Sequence, residues 1–516
     1  MATGTEQTVP VVGRVEDWRA DFRLRWLFRR FRGGPQSGCH RPVSSPRRIE
    51  RSVRDAFELG PQSPQFNTDL PPWCDPSPQS EDCLCLNVWT PNPFDKGVHL
   101  PVMLWIHGGG FVYGSAGAPM YDGHNLSKTG NVVVVSVNHR LNVFGYLYLP
   151  QSTEASANVG QLDLAAALQW IHDNIEHFGG NPNNITAFGQ SGGGGKINAL
   201  MAMPAGAGRF QKAIIQSGSL LTAQEPPEAL DNTDQLCRRL GLKGRDVTAL
   251  KKVPASKLLA ASKDLRIGGR PAHPGALTSF SPVADGEVLP RQPWAPSAPD
   301  ASRGIPMIIG SNLDETMFLI GYSVSDPIPD DRALLDRIER SAILSEVPGS
   351  DLRRLLSLYR QEAPGDSNAQ LLVRISTDLG FWRNAILQTT RKVEAGGAPV
   401  FMYQFDWKTP CFGGEWTPHG DELPFVFDIM KYGSIWDGSD SEAMRFAADP
   451  DGDRFRLAHQ VVSAWTNFAR SGDPSSADLR WPAYDSTARA TMIFDHQSHI
   501  VNAIPTPARS ELLKLG

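Results

Sequence analysis

The chain alternates between short, wholly apolar runs and longer stretches in which apolar residues recur every three or four positions. Pro101-Val102-Met103-Leu104-Trp105-Ile106 is apolar throughout, the mark of a strand buried on both faces. Asn131 to Asn138 (NVVVVSVN) repeats that pattern, and Cys85-Leu86-Asn87-Val88-Trp89-Thr90 reads as a strand closed by Pro91. Leu162 to His177 instead carries apolar residues at helical spacing, and Gly179-Gly180-Asn181-Pro182 stops it. Further strands are expected at Ile185 to Gly189, Ala213 to Gln216, Pro306 to Gly310, Val400 to Phe405 and Thr491 to Phe494. A helix spanning Phe455 to Arg470 lies between the last two. Buried strands alternating with helices predict an α/β fold: a mostly parallel sheet with helices on both faces. Ala223 to Gln292 and Ser323 to Leu387 are helix-rich insertions, expected to cap the sheet edge, and no internal repeat is visible.

Composition narrows the class. Apolar residues make up 41% and charged residues 20%, ordinary for a soluble globular protein with a large core. A net charge of −5 gives the whole chain no electrostatic case for nucleic acid. No apolar run approaches the roughly 18 residues that span a bilayer. Met1 to Pro10 has neither the basic nor the apolar region of a secretory signal, so a cytoplasmic protein is expected; the sequence leaves its oligomeric state open, with a monomer favoured. Six cysteines, at 39, 74, 83, 85, 237 and 411, are too sparse for a disulfide framework. Cys83-x-Cys85 lacks zinc-knuckle spacing, and neither a metal nor an organic cofactor is expected.

Residues 14 to 54 stand apart, with twelve arginines against four acids and no apolar run long enough for a buried strand. Trp18, Phe22 and Trp26 fall at helical spacing among the arginines, so a basic amphipathic helix is one reading. A solvated segment is the plainer one. Residues 1–56 are therefore set apart from a single domain at 57–516.

The chemistry centres on Gly189-Gln190-Ser191-Gly192-Gly193, where a β-branched run gives way to a glycine-rich helix start. G-x-S-x-G at such a junction predicts a nucleophile elbow, a turn so sharp that residues lacking Cβ are favoured two positions either side of the serine. His107-Gly108-Gly109-Gly110-Phe111 follows a buried strand, and its glycines can turn backbone N–H groups outward. Gly109 and Gly110, with the N–H of Gly192, are the expected oxyanion donors. The base candidate is His419, in Pro418-His419-Gly420-Asp421-Glu422, a loop after the strand at Val400 to Phe405. The acid is Asp314 or Glu315, in the loop after the strand ending at Gly310, and spacing does not choose between them. Either preserves the chain order Ser, acid, His.

With these motifs placed, the chain resembles the type-B carboxylesterase family of α/β-hydrolases, which includes cholinesterases and bacterial para-nitrobenzyl esterases. The resemblance rests on Ser80-Glu81-Asp82-Cys83-Leu84, His107 to Phe111, Asn138-His139-Arg140-Leu141 and Asn158-Val159-Gly160. It continues through Phe178 to Pro182, Gly189 to Gly193, Gln216-Ser217-Gly218, Asn312 to Glu315, His419 to Glu422 and Ser471 to Pro474. It implies Ser191 as nucleophile, His419 as base and Glu315, in preference to Asp314, as the acid. The implied activity is hydrolysis of a small-molecule carboxylic ester through an acyl-enzyme. Trp105, Phe111 and Phe425-Val426-Phe427 suggest an apolar site, so short-chain or aryl esters are expected.

Departures from the family pattern are local. Gln190 stands where Glu is usual, Gly192 where Ala is usual, and Thr316 where Gly follows the acid. Trp73 has the offset of the cholinesterase Trp that binds quaternary ammonium, but its proline-flanked loop differs, and a packed or rim aromatic is expected. The usual N-terminal strand region is missing between Arg14 and Arg54, the kind of composition that a compensated frame shift of GC-rich DNA produces. Its loss would leave Glu81 a buried carboxylate without its arginine. Gly192 to Lys196 is no Walker A loop, because Gln190 and Ile197 occupy positions that need Gly and Ser or Thr. A carbamate or amide hydrolase with the same residues, and a non-catalytic binding protein on the same fold, are the alternatives.

Overall fold

The computed structural model describes residues 58–515 except 67–74, 76, 92–96, 151–156, 264, 268–269, 272–279, 318–326, 341–348, 411–413, 431–442, 444–445, 448 and 504. The arginine-rich segment and Trp73 lie outside the described residues.

Among the described residues, eleven strands follow in chain order: β1 Leu86–Trp89, β2 Leu100–Ile106, β3 Val133–Val137, β4 Gly180–Gln190 and β5 Lys212–Gln216. Then come β6 Arg266–Ile267, β7 Arg270–Pro271, β8 Met307–Asn312, β9 Val400–Phe405, β10 Ala490–Phe494 and β11 His499–Asn502. Nine form one sheet in the order β1-β3-β2-β4-β5-β8-β9-β10-β11, and β6 pairs with β7 alone. The seven inner strands run parallel, and only β1 and β11 are antiparallel to their neighbours. Ile106 of β2 pairs with Gly189 of β4, Gly189 with Ile215 of β5, and Asn312 of β8 with Phe405 of β9. This register brings the carboxyl ends of β2, β4, β8 and β9 to one edge of the sheet. The loops that leave them carry the glycine triplet, the serine, the two acids and the histidine.

Why these runs form a two-sided sheet is visible in β2, where every residue is buried. Val102, Leu104 and Ile106 join the core on one face, while Met103 and Trp105 join the core on the other. Strand side chains alternate, so a fully apolar run requires cover on both sides. One face is covered by helices Val159–Asn174, Gly192–Ala202 and Arg383–Ala395, the other chiefly by helix Asp453–Ser471. Burying each large aliphatic or aromatic side chain contributes about 1.5–3 kcal/mol.

Element boundaries moved where tertiary pairing outweighs local pattern. β4 begins at Gly180, five residues ahead of Ile185, because Gly180 pairs with Leu100 across an irregular register. Asn131 is not in β3: it ends helix His124–Gly130 in the left-handed region, with φ 48°. The first insertion folds as helices Pro226–Arg239, Val247–Leu250 and Ala255–Ser262, whose Leu236, Leu250 and Leu258 pack with Phe111 and Tyr146. In the second, helices Asp331–Arg340, Gly349–Glu362 and Asn368–Thr377 share a core with the C-terminal helix Pro507–Leu512. That insertion ends earlier than expected, since Ala385 and Ile386 belong to the sheet core. Glu81 is exposed, so the anticipated cost of a buried lone carboxylate does not arise. No described helix is long and apolar enough to cross a membrane.

Candidate active site

Ser191 lies between the end of β4 and helix Gly192–Ala202, with φ 56° and ψ −126°. Such a conformation costs a non-glycine residue on the order of 1–3 kcal/mol and persists only where packing enforces it. The enforcement is local. The Ser191 N–H donates to the Gln216 carbonyl at 2.7 Å and the Ser191 carbonyl accepts from the Gly195 N–H at 3.1 Å. A Cβ at Gly193 would collide with the Ile106 carbonyl, and one at Gly189 would stand 2.7 Å from that same oxygen. The two glycines therefore let the elbow fold flat against β2. Ser191 is half-buried, and its hydroxyl makes no hydrogen bond among the described residues.

The glycine triplet passes directly over this elbow. A Cβ on Gly108 would sit 3.3 Å from that of Ser191. Gly109 and Gly110 take φ of 78° and 59°, and both are partly exposed. Their N–H groups, and that of Gly192 at the helix start, donate to no acceptor among the described residues. Beneath the loop, Lys196 is fully buried and its Nζ donates to the His107 carbonyl at 2.9 Å. Burial pulls the amine well below the ordinary lysine range. His107 stacks on His139 with ring centroids 4.8 Å apart, and burial followed by the nearby amine lowers both imidazoles.

On the other side of the serine, His419 Nδ1 meets Glu315 Oε2 in a short hydrogen bond. Glu315 Oε1 accepts the Asn312 N–H at 2.7 Å, so the carboxylate is clamped by the end of β8. Asp314 points elsewhere: its Oδ2 accepts the Thr417 N–H at 3.0 Å, and burial pushes its carboxyl up to about 6. Glu422 lies behind Glu315, accepting from Gln216 at 3.0 Å and Asn312 at 2.8 Å. Burial, then the charge of Glu315, raises its carboxyl. Thr316 is buried and donates to the Val373 carbonyl at 3.0 Å, which ties the acid loop to the second insertion.

Glu315 and His419 are thus brought together, while Ser191 stands beside them without a direct hydrogen bond. His419 Nε2 is instead met by the Gln190 side-chain amide at 3.0 Å. Two residues escaped the sequence reading. Gln190 was visible there only as a departure from a family pattern. Phe381 was not visible at all: its ring lies 5.1 Å from that of His419, in the π-helical turn Asp378–Trp382. Asp378 fixes that turn by an ion pair with Arg509 at 2.8 Å and a hydrogen bond from the Tyr359 hydroxyl at 2.7 Å.

The apolar residues expected at the site are core. Trp105 is fully buried on the second face of the sheet, 4.9 Å from Phe188 and 5.0 Å from Phe427. Phe425 and Val426 are buried in the same cluster, and Phe111 packs on Tyr146 at 5.5 Å. Among the described residues, Cys83, Cys85 and Cys237 form no disulfide. Among the described residues no group of three or more His, Cys, Asp or Glu could hold a metal.

Comparisons with known proteins agree with this architecture. The model of the carboxylesterase family matches residues 41–510. A para-nitrobenzyl esterase of Bacillus subtilis (strain 168) is 38% identical over 480 residues, covering 90% of each chain. Carboxylesterase 1E of Mus musculus is 33% identical over 433 residues, covering 79% of this chain and 72% of its own. The solved structure of a thermophilic PNB esterase superposes with a TM-score of 0.75 at 34% identity, covering 90% of this chain and 91% of that one. With an α/β-hydrolase sheet and a match across most of its length, this chain belongs to the carboxylesterase family and is a serine carboxylic-ester hydrolase.

Proposed function

We propose that residues 57–516 work as one domain in which Ser191 is the nucleophile, His419 the general base and Glu315 the acid that orients it. The Glu315–His419 contact, beside a strained serine at a helix start, is the observation that carries this reading. Glu315 holds a proton on Nδ1, which leaves Nε2 as the acceptor. Ser191 Oγ attacks the ester carbonyl carbon while its proton passes to Nε2. The oxyanion rests on the N–H groups of Gly109, Gly110 and Gly192, which need no reorganisation to receive it. Collapse breaks the bond to the alcohol, which takes the proton from His419. Water then repeats the sequence on the acyl-enzyme and releases the acid. Short-chain and aryl esters are the proposed substrates, in keeping with the para-nitrobenzyl esterase relative and with Phe381 beside the histidine. Intact-mass analysis after treatment with a fluorophosphonate tests the reading: one adduct per chain is expected, and an unlabelled folded protein would sink it.

Turnover should fall in acid, because a protonated ring cannot accept the serine proton. A profile with no acid limb, measured as kcat/KM on 4-nitrophenyl acetate, would count against His419 as base.

Gly192 gives a steric prediction. A Cβ there would collide with the Gly110 carbonyl, so the alanine usual in the family does not fit this loop as it stands. Gly192→Ala should push the glycine triplet off its position and lower kcat by about 10- to 100-fold, approaching the loss of one oxyanion donor. KM should change far less. Unchanged kcat would show that the loop yields freely.

A further inference from the structure

Gln190 precedes the elbow serine and is itself almost fully buried, at 2% exposure. Its side-chain nitrogen lies 3.0 Å from His419 Nε2. Because Glu315 holds a proton on Nδ1, Nε2 of the neutral ring carries a lone pair, and the amide must face it with an N–H. The amide oxygen then lies against Gly108, where a Cβ would stand 2.9 Å from Oε1 and 3.0 Å from the Gln190 carbonyl. The amide fits there because position 108 has no side chain.

We propose that Gln190 is a positioning residue that caps the His419 Nε2 lone pair with a neutral donor, favouring the uncharged, base-ready imidazole over the imidazolium. The inference rests on the reading of Ser191, His419 and Glu315 given above. A hydrogen bond to the neutral form of a base disfavours its protonation, whereas a carboxylate in the same place attracts the imidazolium and favours it. The glutamate usual at this position would act in that second way. The amide also suits both halves of the cycle. During attack it must leave Nε2 to the serine proton, and a half-turn about its last bond then presents Oε1 to the new Nε2–H.

Other ionisable groups surround the ring. Glu315 sits on Nδ1, Glu422 lies behind it, and the Tyr403 phenol on β9 senses both carboxylates. Asp314 is bound to the Thr417 N–H, Asp421 is two residues along the histidine loop, and Lys196 lies beneath the glycine triplet. A change confined to position 190 leaves every one of them in place.

The test is kcat/KM for 4-nitrophenyl acetate across about pH 4.5 to 9 in the wild type, Gln190→Glu and Gln190→Met, with fluorophosphonate labelling of each. The acid limb of Gln190→Glu should move up by about one pH unit, roughly a tenfold loss on the acid side. The alkaline plateau should stay within about threefold. Gln190→Met, similar in size but without the N–H, should move the limb the same way by a smaller amount. Superimposed limbs in labelled variants overturn the inference, as does a uniform fall at every pH. A wild type that neither labels nor turns over ester overturns the underlying site reading instead. Each variant reads the limb independently, so a folding defect in one leaves the other decisive.

Discussion

Ser191→Ala should remove ester turnover, with kcat falling by about four to six orders of magnitude, and should abolish fluorophosphonate labelling. The expected size reflects what the variant keeps and what it loses. Glu315, His419 and the three N–H donors stay in place, but no oxygen remains to attack the carbonyl, so no acyl-enzyme forms. Residual activity would come from substrate binding and oxyanion stabilisation acting on water. Alanine takes the same φ of 56° at the same strain, and the Ser191 side chain makes no hydrogen bond whose loss would unfold the elbow. A melting temperature close to that of the wild type is therefore expected. Intact mass and kcat settle the matter together: stoichiometric labelling of the alanine variant at another serine would move the nucleophile elsewhere.

Glu315→Gln should lower kcat by about 10³- to 10⁴-fold while leaving KM within a few-fold. The argument runs through one proton. Glu315 Oε1 accepts the Asn312 N–H, and a glutamine can keep that bond with its oxygen. Its NH₂ group then faces His419 Nδ1 and needs a lone pair there, which sends the ring proton to Nε2. In that tautomer Nε2 cannot take the serine proton, and it also meets the Gln190 amide donor to donor. Stability should suffer little, because the change also removes one of two neighbouring buried carboxylates, Glu315 and Glu422. Asp314→Asn is the control. Its oxygen can still accept the Thr417 N–H, and kcat should remain within about threefold of the wild type. If the Asp314 variant is silenced and the Glu315 variant is not, the acid has been misassigned.

Gln190 and Gly192 flank the serine, and both fit their surroundings in ways that depend on neighbours. Gly192 touches the glycine triplet so closely that a methyl group has no room. Gln190 needs the bare Cα of Gly108 to place its amide. Thr316, next to the proposed acid, ties the acid loop to the second insertion, far from the serine in sequence. All three residues bear on how the loops around the site are held, and none is the proposed nucleophile, base or acid.

By itself the sequence determined the layered α/β class, the order of the buried strands, the elbow, the glycine triplet and the loops that carry acid and histidine. These follow from local rules: strand and helix periodicities are written over a few residues, and a sharp turn demands glycines at fixed offsets. Tertiary structure decided what those rules leave open. A fully apolar strand does not say which face each side chain meets, so Trp105 and Phe427, expected at the site, proved to be core. Spacing does not separate the two adjacent acids, which only the family resemblance ranked, whereas the turn after β8 sends Glu315 to His419 and Asp314 to Thr417. The contact between Gln190 and His419 joins residues 229 apart, and the ring of Phe381 reaches the histidine from a π-helical turn held by Arg509. Such contacts are set by how whole elements pack, and no periodicity along the chain records them.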